Sequence, residues 1–137
     1  MSYAGDLTPR EAWELLEGAE DAVLVDVRTQ GEWSFVGVPD TSGIDRPTAL
    51  VEWNTATGRN PRFLDQLAEL GLAPGDERPV VFLCRSGQRS IAAAEAATAA
   101  GLGPAYNVLD GFEGGVDAAG RRGARGWRAE GLPWRQT

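Results

Sequence analysis

The stretch PVVFLCRSGQRS at residues 79–90 decides the fold, because an apolar run passes through a short polar loop into a helical pattern. Residues 80–83 have the length and the β-branched character of a buried parallel strand. The alanine-rich residues 89–100 favour a helix. The sequence therefore predicts an α/β fold in which Cys84 lies in a strand-to-helix turn, at the carboxyl edge of the sheet where such folds bind ligands.

Cys84 is the only cysteine among 137 residues. Backbone N–H groups and the positive end of the helix dipole converge on such a turn, so they favour a thiolate over a thiol. The glycine of the loop permits close backbone approach, the serines add hydroxyl donors, and the arginines add positive charge. The residues that we expect to surround the sulfur and its anionic substrate are Arg85, Ser86, Gly87, Gln88, Arg89 and Ser90.

The rest of the chain alternates between helical and strand patterns. Thr8 and Glu11 form a capping-box pattern with Pro9 at the first helical position. Further patterns predict a strand at residues 22–27, a short helix at 29–34, a strand-like piece at 49–53, a helix at 61–70 and a strand at 105–109. At least three parallel strands with right-handed crossovers are expected.

Composition excludes several classes of function. The net charge is −7 and no histidine is present, so we expect no nucleic-acid binding, no transition-metal site and no Cys-His catalytic pair. No stretch is apolar for long enough to span a membrane, and no leader pattern opens the chain. We expect a cytoplasmic protein that uses no cofactor.

Four of the loop residues carry a resemblance to a known family. Cys84, Arg85, Gly87 and Arg89 match the Cys-Arg-x-Gly-x-Arg active-site loop of the rhodanese sulfurtransferases. Further family-like signatures are DVR at residues 26–28 with EW at 32–33, and VLDGF at 108–112 with two glycines at 114–115. The resemblance implies one three-layer α/β/α domain over residues 1–137, with a mainly parallel sheet and helices on both faces.

The same resemblance implies the chemistry. Phosphatases of this fold use a Cys-x5-Arg loop that is one residue longer, and the position of their arginine is occupied here by Ser90. The shorter loop favours sulfur transfer, in which Cys84 takes sulfane sulfur from thiosulfate or a related donor and passes it from a persulfide to cyanide or a thiol. Two alternatives stay open: a persulfide carrier that serves a protein partner, and a thiol redox sensor.

Asp26 and Arg28 end a predicted buried strand. We expect them to support the Cys84 loop from behind rather than to contact substrate. Residues 54–60 have the composition of a loop near the site. Residues 121–135 contain five arginines and one acid. They are either a docking surface for an acidic partner or anionic donor, or a solvated helix face, or a patch neutralised by carboxylates elsewhere on the fold. The five tryptophans are expected to pack against the core.

Overall fold

The computed structural model describes residues 2–137, in which strands and helices alternate. In chain order the elements are β1 (Gly5–Leu7), α1 (Pro9–Gly18), β2 (Val23–Asp26), α2 (Gln30–Val36), β3 (Val38–Pro39), a 3-10 turn (Ser42–Ile44), β4 (Thr48–Leu50), β5 (Asn54–Thr55), β6 (Gly58–Arg59), α3 (Phe63–Glu69), β7 (Val80–Leu83), α4 (Arg89–Ala99), β8 (Ala105–Val108) and β9 (Trp134–Arg135).

Five strands form the central sheet in the order β1-β8-β7-β2-β4, and every pairing between them is parallel. All four residues of β2 and all four of β7 are buried, which explains their continuous apolar runs. The predicted mainly parallel sheet is confirmed. The edge strand β1 has too few apolar residues to be recognised from the sequence.

Helices cover both faces of the sheet, as a three-layer fold requires. One face packs against α3 and α4 through Phe63, Leu67, Ala93 and Ala97. The other face packs against α1 and the carboxyl-terminal segment through Ala12, Leu16, Phe112 and Trp127. The alanines of α4 allow that helix to lie close to the sheet, directly after the loop that carries Cys84.

Two helices begin at capping boxes, of which the one at Thr8 was predicted from the sequence. Thr8 and Glu11 exchange side-chain and backbone hydrogen bonds at the start of α1, and Thr29 and Glu32 do the same at the start of α2. Each box satisfies backbone N–H groups that a helix start leaves without partners. Helix α2 continues to Val36, two residues beyond the predicted end.

Two segments differ from the expectation. Residues 54–60 contain a small hairpin of β5 and β6, in which the Arg59 guanidinium lies 4.1 Å from the centre of the Trp53 ring. Residues 121–135 form no helix; their last residues pair as β9 with β3. Trp127 is fully buried as predicted, whereas Trp134 remains 38% exposed and does not close the core. Within residues 2–137, no helix combines the length and the apolarity needed to cross a bilayer.

The segment after β8 packs against the back of the Cys84 loop. The N–H group of Phe112 donates to the carbonyl oxygen of Cys84 at 2.8 Å. The N–H groups of Glu113 and Gly114 donate to the carbonyl oxygen of Arg85 at 3.0 and 3.1 Å. These three bonds satisfy the carbonyl groups at the start of the loop, so they fix the direction in which it leaves the sheet.

Gly111 makes this close approach possible. Its φ is +53°, in the left-handed region, and a Cβ atom there would lie 2.7 Å from the carbonyl carbon of Arg85 and closer still to the carbonyl oxygen of Cys84. No side chain fits between the two backbones.

We therefore expect Gly111→Ala to lower the free energy of unfolding by about 3 kcal/mol or more, since both the strained φ and the backbone clash contribute. Gly120→Ala is the matched control, because Gly120 has φ +77° with no heavy atom within 4 Å. It should lose only about 1 kcal/mol. Urea unfolding of both variants makes the comparison, and equal losses would contradict the proposed role of Gly111.

Candidate active site

Cys84 follows β7 directly, and its sulfur faces the first turn of α4. Sγ accepts a hydrogen bond from the backbone N–H of Gly87 at 3.1 Å and lies 3.1 Å from the donating hydroxyl of Ser90. Gly87 has φ +103°, which turns its N–H group back toward the sulfur. The two donors and the helix start stabilise negative charge on the sulfur.

The thiol lies deeper than its place in a loop suggests, since Cys84 is only 1% exposed. Of the other predicted loop residues, Gly87 and Ser90 are buried, Arg85, Ser86 and Arg89 are half-buried, and Gln88 is exposed. The structure thus brings Gly87 and Ser90 to the sulfur and leaves Gln88 on the outer rim.

The two loop arginines are paired with carboxylates. Arg89 donates to both carboxylate oxygens of Glu32, at 2.7 and 3.0 Å. The Nε atom of Arg85 lies 3.5 Å from a carboxylate oxygen of Glu113. The sequence predicts that both arginines attract an anionic donor. Their partners offset part of that charge, so the bidentate Arg89–Glu32 pair acts first on the geometry between α2 and the loop.

The pKa of Glu32 reflects this pairing. Burial opposes ionisation of the carboxyl group, but the hydrogen bonds from Arg89 and from the backbone of Thr29 outweigh burial and lower the pKa from 4.5 to about 2. The hydrogen bond to Glu32 raises the pKa of Arg89 in turn, and it outweighs burial, which acts in the opposite direction.

Asp26 and Arg28 form a fully buried ion pair behind the loop, with a shortest separation of 2.7 Å. Arg28 also donates to the carbonyl oxygen of Gly37 at 2.7 Å, and its guanidinium lies 4.2 Å from the centre of the Phe112 ring. Phe112 is the residue whose N–H group donates to Cys84. The pair therefore lies behind the loop, and its supporting role stays a prediction.

Sequence reasoning missed Asn107, which is fully buried in β8 and lies 2.5 Å from the Ser90 hydroxyl. Its signal was an amide side chain inside an otherwise apolar strand. Sequence reasoning also missed Glu32 as the partner of Arg89; its signal was its place in the capping box with Thr29.

Two cavities lie near this edge of the sheet. One, of about 380 Å³, lies beyond the end of β4 and includes Trp33, Glu52, Thr55 and Asn60, so the hairpin residues line a cavity. The other, of about 300 Å³, is lined by Glu113, Gly123, Ala129, Trp134 and two exposed arginines, Arg122 and Arg128. Cys84 is in neither lining.

We expect Glu32→Gln to lower the free energy of unfolding by about 1–2 kcal/mol at neutral pH, because it removes the charge that Arg89 faces. The folded-state pKa of Glu32 lies below its ordinary value, so its contribution is present above about pH 4.5 and is lost as pH falls toward 2. Unfolding measured from pH 7 to pH 2 should show the difference from the parent protein shrinking over that range.

Glu69→Gln is the matched control, because Glu69 pairs with Arg62 on the surface, where both side chains are more than half exposed. Its loss should be within about 0.5 kcal/mol. A pH-independent loss in Glu32→Gln would show that the ion pair is not its cause.

Comparisons with known proteins agree with this geometry. A sequence model of the rhodanese-like domain matches residues 8–118. The chain is 30% identical over 111 residues to the thiosulfate sulfurtransferase GlpE of Glaesserella parasuis, covering 81% of this chain and 85% of the relative.

Two solved structures are similar over nearly the whole chain. The crystal structure of Rv0390 from M. tuberculosis is 60% identical with a TM-score of 0.89, covering 98% of this chain and 99% of that one. The solution structure of a polysulfide-sulfur transferase homodimer from Wolinella succinogenes is 26% identical with a TM-score of 0.69, covering 99% of this chain and 80% of that one. The chain therefore belongs to the rhodanese-like domain family, whose members include sulfurtransferases.

Proposed function

We propose that this protein is a sulfurtransferase that moves sulfane sulfur from thiosulfate or a related donor to cyanide or a thiol, through a persulfide on Cys84. The observation that carries the proposal is the pair of donors on Sγ, the N–H of Gly87 and the hydroxyl of Ser90, inside a Cys-x4-Arg loop. Similarity to a thiosulfate sulfurtransferase and to a polysulfide-sulfur transferase supports it.

The reaction has two displacement steps. The Cys84 thiolate attacks the outer sulfur of thiosulfate; a new S–S bond forms to Cys84, and the S–S bond of the donor breaks with its electron pair leaving on sulfite. The persulfide carries one negative charge, as the thiolate did. Cyanide or a thiolate then attacks the outer sulfur, which leaves as thiocyanate or a new persulfide, and the Cys84 thiolate returns.

The depth of Cys84 restricts the donor. A residue that is 1% exposed can be reached only by a narrow group, and a terminal sulfur atom is narrow. A persulfide extends the side chain by one S–S bond of about 2 Å. The outer sulfur, which is transferred, therefore lies farther out than the buried Sγ atom of Cys84. A branched phosphate ester fits this geometry less well, which supports sulfur transfer over phosphate hydrolysis.

The proposed location is the cytoplasm. A single cysteine that has to stay reduced in order to act as a nucleophile suits a reducing compartment, where disulfides are rare. The proposed steps need no metal or organic cofactor, because the sulfur is carried on Cys84 itself.

Mass spectrometry of the intact protein after incubation with thiosulfate tests the proposal. We expect the mass of one sulfur atom to appear on Cys84 and to disappear on addition of cyanide, with thiocyanate released. Cys84→Ser should take up no sulfur and should lose turnover completely while its melting temperature stays close to that of the parent protein.

Two oxygen atoms have nearly the mass of one sulfur atom, so the cyanide step separates the alternatives. A sulfinic acid does not yield to cyanide, whereas a persulfide does. Oxygen uptake without sulfur uptake would favour the redox sensor, and hydrolysis of a phosphate ester with no persulfide would favour a phosphatase. Either result would overturn the proposed transfer.

A second candidate function, a persulfide carrier for a partner, is favoured by the charge beside the loop. Residues 121–135 carry five exposed arginines on a chain whose net charge is −7. Arg122 and Arg128 line the 300 Å³ cavity together with Glu113, the partner of Arg85. Such a surface attracts an acidic acceptor toward Cys84 and repels cationic ones.

The double variant Arg122→Gln/Arg128→Gln tests this surface. We expect it to discharge the Cys84 persulfide severalfold more slowly to glutathione, which is anionic, and at the parent rate to neutral dithiothreitol. Added salt should shrink the difference, since exposed charges are screened. Arg62→Gln is the control, because it removes an exposed arginine that lies outside residues 121–135. Equal slowing with both thiols would assign the arginines to loop structure instead of steering.

A further inference from the structure

A line of hydrogen-bonded side chains runs from the amino-terminal strand to Cys84. The Asp6 carboxylate accepts from the amide nitrogen of Asn107 at 3.0 Å, the amide oxygen of Asn107 lies 2.5 Å from the Ser90 hydroxyl, and that hydroxyl lies 3.1 Å from Sγ of Cys84. Ser90 and Asn107 are fully buried. The side chains come from β1, β8, α4 and the end of β7, so the fold itself assembles the line.

Asp6 fixes the orientation of the Asn107 amide. An ionised carboxylate only accepts hydrogen bonds, so the NH₂ group of Asn107 must face it. The same Asp6 oxygen also accepts from the hydroxyl of Tyr3 at 2.8 Å. The carbonyl end of the amide is therefore directed at Ser90 and acts as an acceptor there.

Ser90 has one hydroxyl proton and two acceptors that compete for it. When Cys84 is a thiol, Ser90 donates to Asn107, and its oxygen is free to accept the S–H. When Cys84 is a thiolate, the Ser90 proton is needed at the sulfur, and the buried amide oxygen of Asn107 loses its donor. A buried acceptor without a partner is unfavourable, so Asn107 opposes the thiolate.

We propose that Asn107 is a positioning residue that holds the Ser90 proton away from Cys84 and yields it only when the sulfur is anionic. The inference rests on the proposed function, because it concerns the sulfur that would carry the persulfide. In a persulfide the charge moves to the outer sulfur, so the inner sulfur no longer needs Ser90 and the hydroxyl returns to Asn107. Ser90 thus changes partner each time the charge on Sγ changes.

The arginines near the sulfur are already paired with carboxylates. The charged side chains on the elements packed around Cys84 are Arg85, Arg89 and Glu95 of its own loop and helix, Asp26 of β2, Arg28 in the turn after it, Glu32 of α2, Asp110 and Glu113 after β8, and Asp6 of β1. Each arginine among them faces a carboxylate. The Ser90 hydroxyl, by contrast, can rotate between its two acceptors without breaking an ion pair.

The test follows the ultraviolet absorbance of the thiolate through a pH titration, with Cys84→Ser as the baseline, since Cys84 is the only cysteine. Asn107→Leu removes the competing acceptor, so we expect the midpoint to fall by about one pH unit, or tenfold more thiolate below the midpoint. Ser90→Ala removes the hydroxyl that donates to Sγ and should raise the midpoint. The double variant should match Ser90→Ala, because Asn107 acts only through Ser90.

A fourth variant keeps the test valid if Asn107→Leu does not fold. Asn107→Ala also removes the amide oxygen, and its smaller side chain adds no volume to the buried site. The midpoint should fall as in Asn107→Leu. An unchanged or raised midpoint in the Asn107 variants, or additive effects in the double variant, would overturn the inference.

The titration needs no sulfur donor, so its failure is distinct from failure of the proposed transfer. If the midpoints move as expected while no persulfide forms with thiosulfate, the role of Asn107 stands and the assigned reaction falls. If persulfide forms normally in all variants and the midpoints do not move, the reaction stands and the role of Asn107 falls.

Discussion

The geometry at Cys84 depends on the three backbone hydrogen bonds that residues 112–114 donate to the carbonyl groups of Cys84 and Arg85. Backbone groups in a buried loop need partners, and here one segment supplies them from behind. With its carbonyl oxygens held on that side, the loop directs the N–H group of Gly87 inward to the sulfur. These bonds need the two backbones to lie in close contact. Gly111 allows that contact because it adopts a left-handed φ and has no side chain.

Charges around the loop form ion pairs, and this pairing limits the distance over which the arginines attract an anion. Arg28, Arg85 and Arg89 each face a carboxylate, so their fields are largely offset at a distance. The stabilisation of an anionic sulfur then comes from short-range donors, an amide and a hydroxyl at 3.1 Å. For long-range attraction of an anionic reactant we propose the exposed arginines Arg122 and Arg128, which share a cavity with Glu113.

The sequence predicted the parts of the molecule whose signals are local. Residues 80–83 and the alanines of α4 reveal a buried strand and a closely packed helix, and the capping-box pattern at Thr8 marks a helix start. Local patterns can single out Asn107 or Glu32, but they do not show which distant residue each one meets: Arg89 meets Glu32 across 57 residues, and Asn107 meets Asp6 across 101. The exposure of Trp134 was missed because the local pattern around an isolated aromatic residue does not show whether the fold covers it.

A buried asparagine beside a buried serine is an unusual choice for the centre of a domain, because apolar side chains of similar volume would fill the space without requiring hydrogen bonds. In the sulfur transfer that we propose, its value lies in the chemistry of a sulfur whose charge alternates. Donors fixed permanently on Sγ would stabilise the thiolate and oppose the transfer of its electron pair into a new S–S bond. A hydroxyl with a second acceptor at 2.5 Å can withdraw when the charge leaves and return when it comes back. In this proposal the amide of Gly87 supplies the constant part of the stabilisation, and Ser90 with Asn107 supplies the part that follows the charge on Sγ.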